Sequence, residues 1–135
     1  MILVDTNVLI DVLADDPDWA EWSETQLMKH IERDELAINP IIYAELAAAY
    51  RSEVALEKAL RYWPLVRLPL PYAAGYLSGQ AFRKYRRQGG QKRSSLPDFY
   101  IGAHAQTDAL PLLTRDSRRY KSYFPKVRLI APHEA

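Results

Sequence analysis

Ile2-Leu3-Val4-Asp5-Thr6-Asn7-Val8-Leu9-Ile10 is the stretch that decides the fold of this chain. Three apolar residues in a row, Ile2–Val4, read as a buried strand, and the spacing of residues 7–14 then reads as the helix that follows it. Asp5 stands at the junction. A buried strand seldom ends on a charge without a cause, and in an open parallel sheet ligands bind just outside the carboxyl ends of the strands.

The same alternation continues along the chain. Asp15-Asp16-Pro17-Asp18 is a turn that opens a helix over residues 19–33, and Leu36-Ala37-Ile38 is a second strand. Asn39 caps the next helix, with Pro40 at its first position, where a missing N–H costs nothing. Further helices are expected over 53–63 and 72–88, the latter ended by Gly89-Gly90, and from Pro97 to 107, with a short helix or turn over 118–124. Strands are expected at 66–68, 112–114 and 127–130. Strands alternating with helices define an α/β fold whose central parallel sheet, of about five strands, is covered on both faces. A chain of 135 residues makes one domain, 1–135, with a sizeable core.

The totals exclude several chemistries. There is no cysteine, so disulfides, thiolate zinc sites and cysteine nucleophiles are ruled out, and the three histidines have no ligand-like spacing. No apolar run is long enough to span a bilayer, and the opening lacks a basic leader and meets an acid too early for a signal peptide. A cytoplasmic, membrane-free protein is therefore expected. The net charge of +1 hides an asymmetry: residues 1–70 hold 13 acids and 6 bases, residues 71–135 hold 4 acids and 12 bases. That imbalance favours a polyanionic partner.

Four acids fall where strands end or helices begin: Asp5, Glu45 one turn into the Pro40 helix, Asp98 directly after Pro97, and Asp116 after Leu112-Leu113-Thr114. If the fold brings them together, the cost is high. Two carboxylates about 5 Å apart repel by roughly 3 kcal/mol at an effective dielectric near 20. Such a pocket must bind a cation or raise a pKa, and its hard oxygens suit Mg²⁺ or Mn²⁺. Each acid has a plainer alternative: Asp98 as a helix-start carboxylate, Glu45 as a solvated helix residue, Asp116 as a turn residue. Against this, Ala44, Leu46, Ala47 and Ala48 suggest buried surroundings for Glu45. Asp11, Asp15, Asp16, Asp18 and Asp108 read as solvated or capping, with Asp11 an outer-shell alternative.

The opening segment resembles that of PIN-domain ribonucleases, specifically the VapC-type toxins of toxin–antitoxin modules. The resemblance continues through Asn39-Pro40-Ile41-Ile42-Tyr43-Ala44-Glu45-Leu46, Leu96-Pro97-Asp98-Phe99-Tyr100-Ile101-Gly102-Ala103 and Leu112-Leu113-Thr114-Arg115-Asp116, in order over nearly the whole chain. It implies a three-layer α/β/α domain in which Asp5, Glu45, Asp98 and Asp116 bind one or two divalent ions, with Thr6 and Thr114 as supporting hydroxyls. It also implies hydrolysis of RNA and a cognate VapB-type antitoxin, and a homodimer is expected. Some members carry another acid two or three residues beyond the last, where this chain has Ser117-Arg118-Arg119.

The residues support that chemistry independently. No histidine, cysteine or lysine is placed as a general base, so the nucleophile is water activated by a divalent ion. Arg83, Lys84, Arg86, Arg87, Lys92 and Arg93 form an acid-free stretch that includes Tyr85 and leads toward Asp98; it reads as a phosphate-tracking ridge or as a solvated helix face. Arg115, beside Asp116, is a further RNA contact candidate. Trp19 and Trp22 share a helical face, as core or as an antitoxin groove, while Tyr43, Tyr50 and Tyr62 suit core or dimer contacts. Two rival classes remain. One is a PIN-like module that grips RNA or protein without cutting. The other is a haloacid-dehalogenase-like phosphatase, whose second acid is here Asn7. A response-regulator receiver would need adjacent acids after the first strand and a late strand-end lysine, and neither is present.

Overall fold

The computed structural model describes residues 1–89 and 94–132. Five strands, β1 (Ile2–Val4), β2 (Leu36–Ile38), β3 (Leu65–Arg67), β4 (Leu112–Leu113) and β5 (Leu129–Ile130), form one sheet in the order β3-β2-β1-β4-β5. Every pairing is parallel: Leu3 lies opposite Ala37 on one side and Leu112 on the other, Ala37 opposite Val66, and Leu112 opposite Leu129. The three central strands are buried throughout, which is why they read as unbroken apolar runs, whereas β3 and β5 at the edges are half-buried and β3 ends on exposed Arg67.

Seven helices complete the α/β/α layers: α1 (Thr6–Leu13), α2 (Ala20–Ile31), α3 (Pro40–Ala47), α4 (Glu53–Leu60), α5 (Tyr72–Arg87), α6 (Tyr100–Thr107) and α7 (Ser117–Tyr123). Their starts follow local chemistry. Asn39 accepts from the Ile42 amide at 2.9 Å with Pro40 next in line, and Ser52 accepts from Ala55 at 3.1 Å. The helix expected from Pro97 instead opens as a 3-10 turn, Leu96–Phe99, closed by a reciprocal bond pair between Ser95 and Asp98, and becomes α-helical only at Tyr100. α5 ends at Gly89, whose φ of 73° suits a residue without a Cβ.

Packing then fixes the helices against the sheet. Leu3, Val4, Leu9, Leu27, Ile38, Ile42, Leu46, Leu112 and Leu113 are fully buried in one contiguous core. At Gly102 a Cβ would lie 2.3 Å from Phe124 Cδ2, so α6 and the end of α7 approach as closely as a bare backbone allows. The order of strands matters for function: from β1 the chain builds outward to β2 and β3, then crosses back to β4. The reversal leaves a crevice at the carboxyl ends of β1 and β4, where Asp5 and Asp116 follow their strands.

Candidate metal centre

Asp5 ends β1 and caps α1. Its carboxylate is buried and heavily bonded: Oδ1 accepts from the Thr6 amide at 2.8 Å, and Oδ2 accepts from Thr114 Oγ1 at 2.7 Å, Tyr120 OH at 2.8 Å and Asn7 Nδ2 at 3.3 Å. Burial pushes its pKa up, and the bonds from Thr114, Tyr120 and Thr6 pull against that rise. Tyr120, buried beside this acid, is held well above its ordinary value by burial and by the negative charge of Asp5, so it keeps its proton and donates it.

Glu45 reaches the same crevice from α3. Thr6 Oγ1 donates to its Oε1 at 2.7 Å. Its pKa is raised first by loss of water, then by the charges of Asp5 and Asp98, while the Thr6 bond works the other way. Its surroundings are more open than the alanine-rich sequence suggested: Glu45 itself is exposed, Ala44, Ala48 and Ala49 face solvent, and Leu46 and Ala47 pack on the core. Asp116 follows Thr114, whose fully buried hydroxyl accepts from the Asp116 amide at 3.0 Å while donating to Asp5. One hydroxyl thereby ties two of the acids together.

Asp5, Thr6, Asn7, Ile10, Glu45, Arg115, Asp116 and Arg119 line an open cleft of about 560 Å³. Asp98 does not line it: its charge is felt by Glu45, but its Oδ2 accepts from the Ser95 amide at 2.7 Å, the capping alternative read from the sequence. Among the described residues, no three carboxylates or histidines are drawn together tightly enough to ligate an ion as they stand. The donors are nonetheless the hard oxygens that Mg²⁺ and Mn²⁺ take, and Asp5 and Glu45 are both held above the ordinary carboxylate range, a direction that a divalent cation would oppose. The residues fit such an ion.

Several side-chain partnerships escaped the sequence. Asp11 is fully buried, not solvated: Arg115 forks onto it with Nε at 2.8 Å and Nη2 at 2.9 Å, and Ser23 donates to it at 2.7 Å. Arg115 also lies over Trp19, 5.2 Å from the ring centroid, and its amide donates to Asn7 Oδ1 at 3.4 Å. The arginine expected to touch RNA lines the cleft, part exposed, while it clamps Asp11, and Trp19 packs edge-on to Trp22 at 5.9 Å. Tyr120 gave no signal beyond its place one turn after Asp116. Asp108, expected to be solvated or capping, is exposed at the C-cap of α6 and also pairs with buried His104 at 2.9 Å. Because Asn39 Oδ1 is used by Ile42, its amide donates to His104 Nδ1 at 3.0 Å, and the ring's other nitrogen donates to Asp108.

The basic stretch is partly confirmed as surface. Arg83, Lys84, Arg86 and Arg87 are exposed at the end of α5, while Lys92 and Arg93 lie outside the described residues. Lys84 sits over Tyr123 and Arg86 over Phe82, at 5.9 and 5.7 Å. Tyr85 is not a free stacking platform, since it packs against Phe99 and Tyr123 and accepts from the Ser94 amide at 3.3 Å. Tyr43 is held by Glu57 and Arg67, and Tyr62 is 85% exposed.

An α/β/α layer structure with acids gathered at the switch point of a parallel sheet describes a class of fold. The PIN domain family model matches residues 2–125, and the chain belongs to that family. Solved structures that resemble it include VapBC2 of Rickettsia felis bound to promoter DNA, with 18% identity, a TM-score of 0.73 and coverage of 97% of this chain and 98% of that one. DNA-bound VapBC of Salmonella typhimurium gives 21%, 0.70, 97% and 98%, and FitAcB of Neisseria gonorrhoeae gives 24%, 0.68, 96% and 96%. A comparison with curated proteins returned no match. Among the described residues, no helix is long and apolar enough to cross a membrane.

Proposed function

We propose that this chain is a VapC-type toxin that hydrolyses RNA phosphodiester bonds with a water molecule, dependent on Mg²⁺ or Mn²⁺. The observation that carries the proposal is the Asp5 carboxylate, fixed at the switch point by four donors and facing a cleft shared with Glu45 and Asp116. No histidine or lysine lines that cleft among the described residues, so it offers no conventional base for a protein-side mechanism. The bound ion supplies Lewis acidity, lowering the pKa of water and offsetting charge on the phosphate. Asp5, Glu45 and Asp116 would hold it, with Asp98, bonded to the Ser95 amide, contacting it through water.

The chain's own contribution is positional. Thr114 and Tyr120 fix one Asp5 oxygen, and Thr6 fixes one Glu45 oxygen, so the rotamers are set before substrate arrives. In the reaction the water oxygen forms a new P–O bond, the bridging P–O bond breaks, and the leaving alkoxide takes the proton that water gives up. A VapB-type antitoxin, a homodimer and a cytoplasmic setting belong to the same proposal. The antitoxin is supported by the toxin–antitoxin complexes among the structural neighbours, and the exposed bases of α5 support a polyanionic substrate.

One observation favours the alternative of a silent RNA- or protein-binding module: Asp98 is spent on its own turn. An assay on total bacterial RNA with Mg²⁺ or Mn²⁺ separates the two. Cleavage by the native chain, lost with EDTA and in Asp5→Asn while that variant keeps its fold, is the expected result. Full activity in Asp5→Asn, or binding without cleavage in the native chain, would remove the nuclease assignment.

A further inference from the structure

Two arginines reach the cleft, and they are held very differently. Arg115 is committed to Asp11 and Trp19. Arg119, on α7 one turn beyond Asp116, is exposed and has a single long contact, Nε to Asp116 Oδ2 at 3.8 Å, with no other ion pair or hydrogen bond among the described residues. It nevertheless borders the same cleft as Asp5, Glu45 and Asp116, and its charge is felt by both Asp5 and Glu45.

Counting charge shows what such a group is for. Three ionised carboxylates give the cleft three negative charges, and one divalent ion leaves one of them uncompensated. A phosphodiester brings another, and its transition state a further one. Two-metal sites meet that load with a second cation. Here the fourth acid, Asp98, does not line the cleft and is bonded to the Ser95 amide within its own turn. We infer that Arg119 is the second cationic group of this site: its guanidinium leaves Asp116 when the phosphodiester arrives and binds a non-bridging oxygen, so that one divalent ion and one arginine do the work. The planar fork of arginine matches two phosphate oxygens, which a lysine ammonium does not. This inference rests on the ribonuclease proposal and names a catalytic residue within it.

The test uses the full chain with Arg119→Gln, Arg119→Lys and Arg119→Glu, first checked for an unchanged melting point as befits an exposed side chain. Total bacterial RNA identifies the site cut by the native chain, and rates on an oligonucleotide spanning that site are measured with Mn²⁺. Arg119→Gln is expected to lower kcat by roughly 10²–10³-fold, the effect of losing one preorganised charge donor, with KM changed far less. Arg119→Lys recovers only part. Independently of activity, Mn²⁺ titration followed by electron paramagnetic resonance should count one tightly held ion per native chain and a second in Arg119→Glu, where an acid joins Asp116. A native chain that holds two ions, or an Arg119→Gln variant that cleaves at the native rate, overturns the inference while leaving the ribonuclease proposal standing. A native chain that neither holds Mn²⁺ nor cleaves RNA removes both.

Discussion

Deleting one oxygen atom tests how this site keeps a buried charge in place. Tyr120 is 1% exposed, and its hydroxyl donates to Asp5 Oδ2 at 2.8 Å beside the 2.7 Å bond from Thr114. Tyr120→Phe leaves the ring in the core and removes that donor alone. A hydrogen bond to a charged group contributes about 1.5–3 kcal/mol. Thr114 and Asn7 still face the same oxygen, so the lower part of that range, about 1.5–2 kcal/mol, is expected at neutral pH. With an unfolding entropy of roughly 2.1 cal/mol/K per residue, that loss lowers the melting temperature of this chain by about 5–7 °C. The pH dependence has a definite sign. Burial holds Asp5 above its ordinary value and the Tyr120 bond opposes it, so the variant's carboxyl is driven higher still. A group whose folded pKa exceeds its unfolded one loses stability as pH rises through the folded value. The variant's deficit should therefore be largest where Asp5 is ionised and shrink in acid. Cleavage requires the ionised form, so the acidic limb of the rate profile should move to higher pH. Thermal melts at pH 5 and pH 8 and a pH–rate series with Mn²⁺ read both effects. If Tyr120→Phe melts with the native chain at pH 8 and its acidic limb is unmoved, Tyr120 does not hold Asp5 and the account of the site's electrostatics is wrong.

Three further outcomes follow from other contacts. Asp11→Asn removes the charge from a fully buried clamp on Arg115; because the arginine retains access to water, a loss of about 2–3 kcal/mol in urea denaturation is expected rather than the full cost of an orphaned buried ion. Cleavage should fall as well, through the β4–α7 turn that carries Asp116, and a variant of native stability would show the clamp to be idle. Gly102→Ala places a Cβ 2.3 Å from Phe124, so the ring must shift and about 1–3 kcal/mol should be lost by the same measurement. Glu57, held down to about 2 by the Arg67 fork and the Tyr43 hydroxyl, contributes stability that is present above the unfolded carboxylate range and lost as pH falls toward its folded value. Glu57→Gln should flatten the stability profile between about pH 4.5 and 2, where an unaltered acid limb would rule the network out as its source.

What could be read from the sequence, and what could not, divides by the distance over which each cause acts. The strand at Ile2–Val4, the Asn39–Pro40 helix start and the Gly89 stop are set by residues within a turn of one another, and each lies where the pattern places it. Asp98 shows the limit of local evidence: an acid at a helix start suits a cap and a metal ligand alike, and the capping bond to Ser95 is the one formed here. Which side chains meet around Asp5 and Asp11 is set by residues more than a hundred positions apart, where no period or spacing applies: Thr114 reads as a supporting hydroxyl from the sequence but its partner does not, and neither Tyr120 nor the Arg115 clamp gives a signal. Thr114 and Tyr120 meet Asp5 across 109 and 115 residues, and Asp11 meets Arg115 across 104. The last pair changes how the site is understood. A buried aspartate on an apolar helix face looks like an error of patterning until its arginine is found. Once found, the pair fastens α1 and α2 to the turn after β4, across the crevice where the sheet reverses direction. Acids from the two ends of the chain can then repel one another without parting the strands that carry them, because the restraint is an ion pair outside the cleft's negative centre. The same arrangement uses up Arg115 and leaves Arg119 loosely tethered, a division of labour between two arginines four residues apart that only the folded chain reveals.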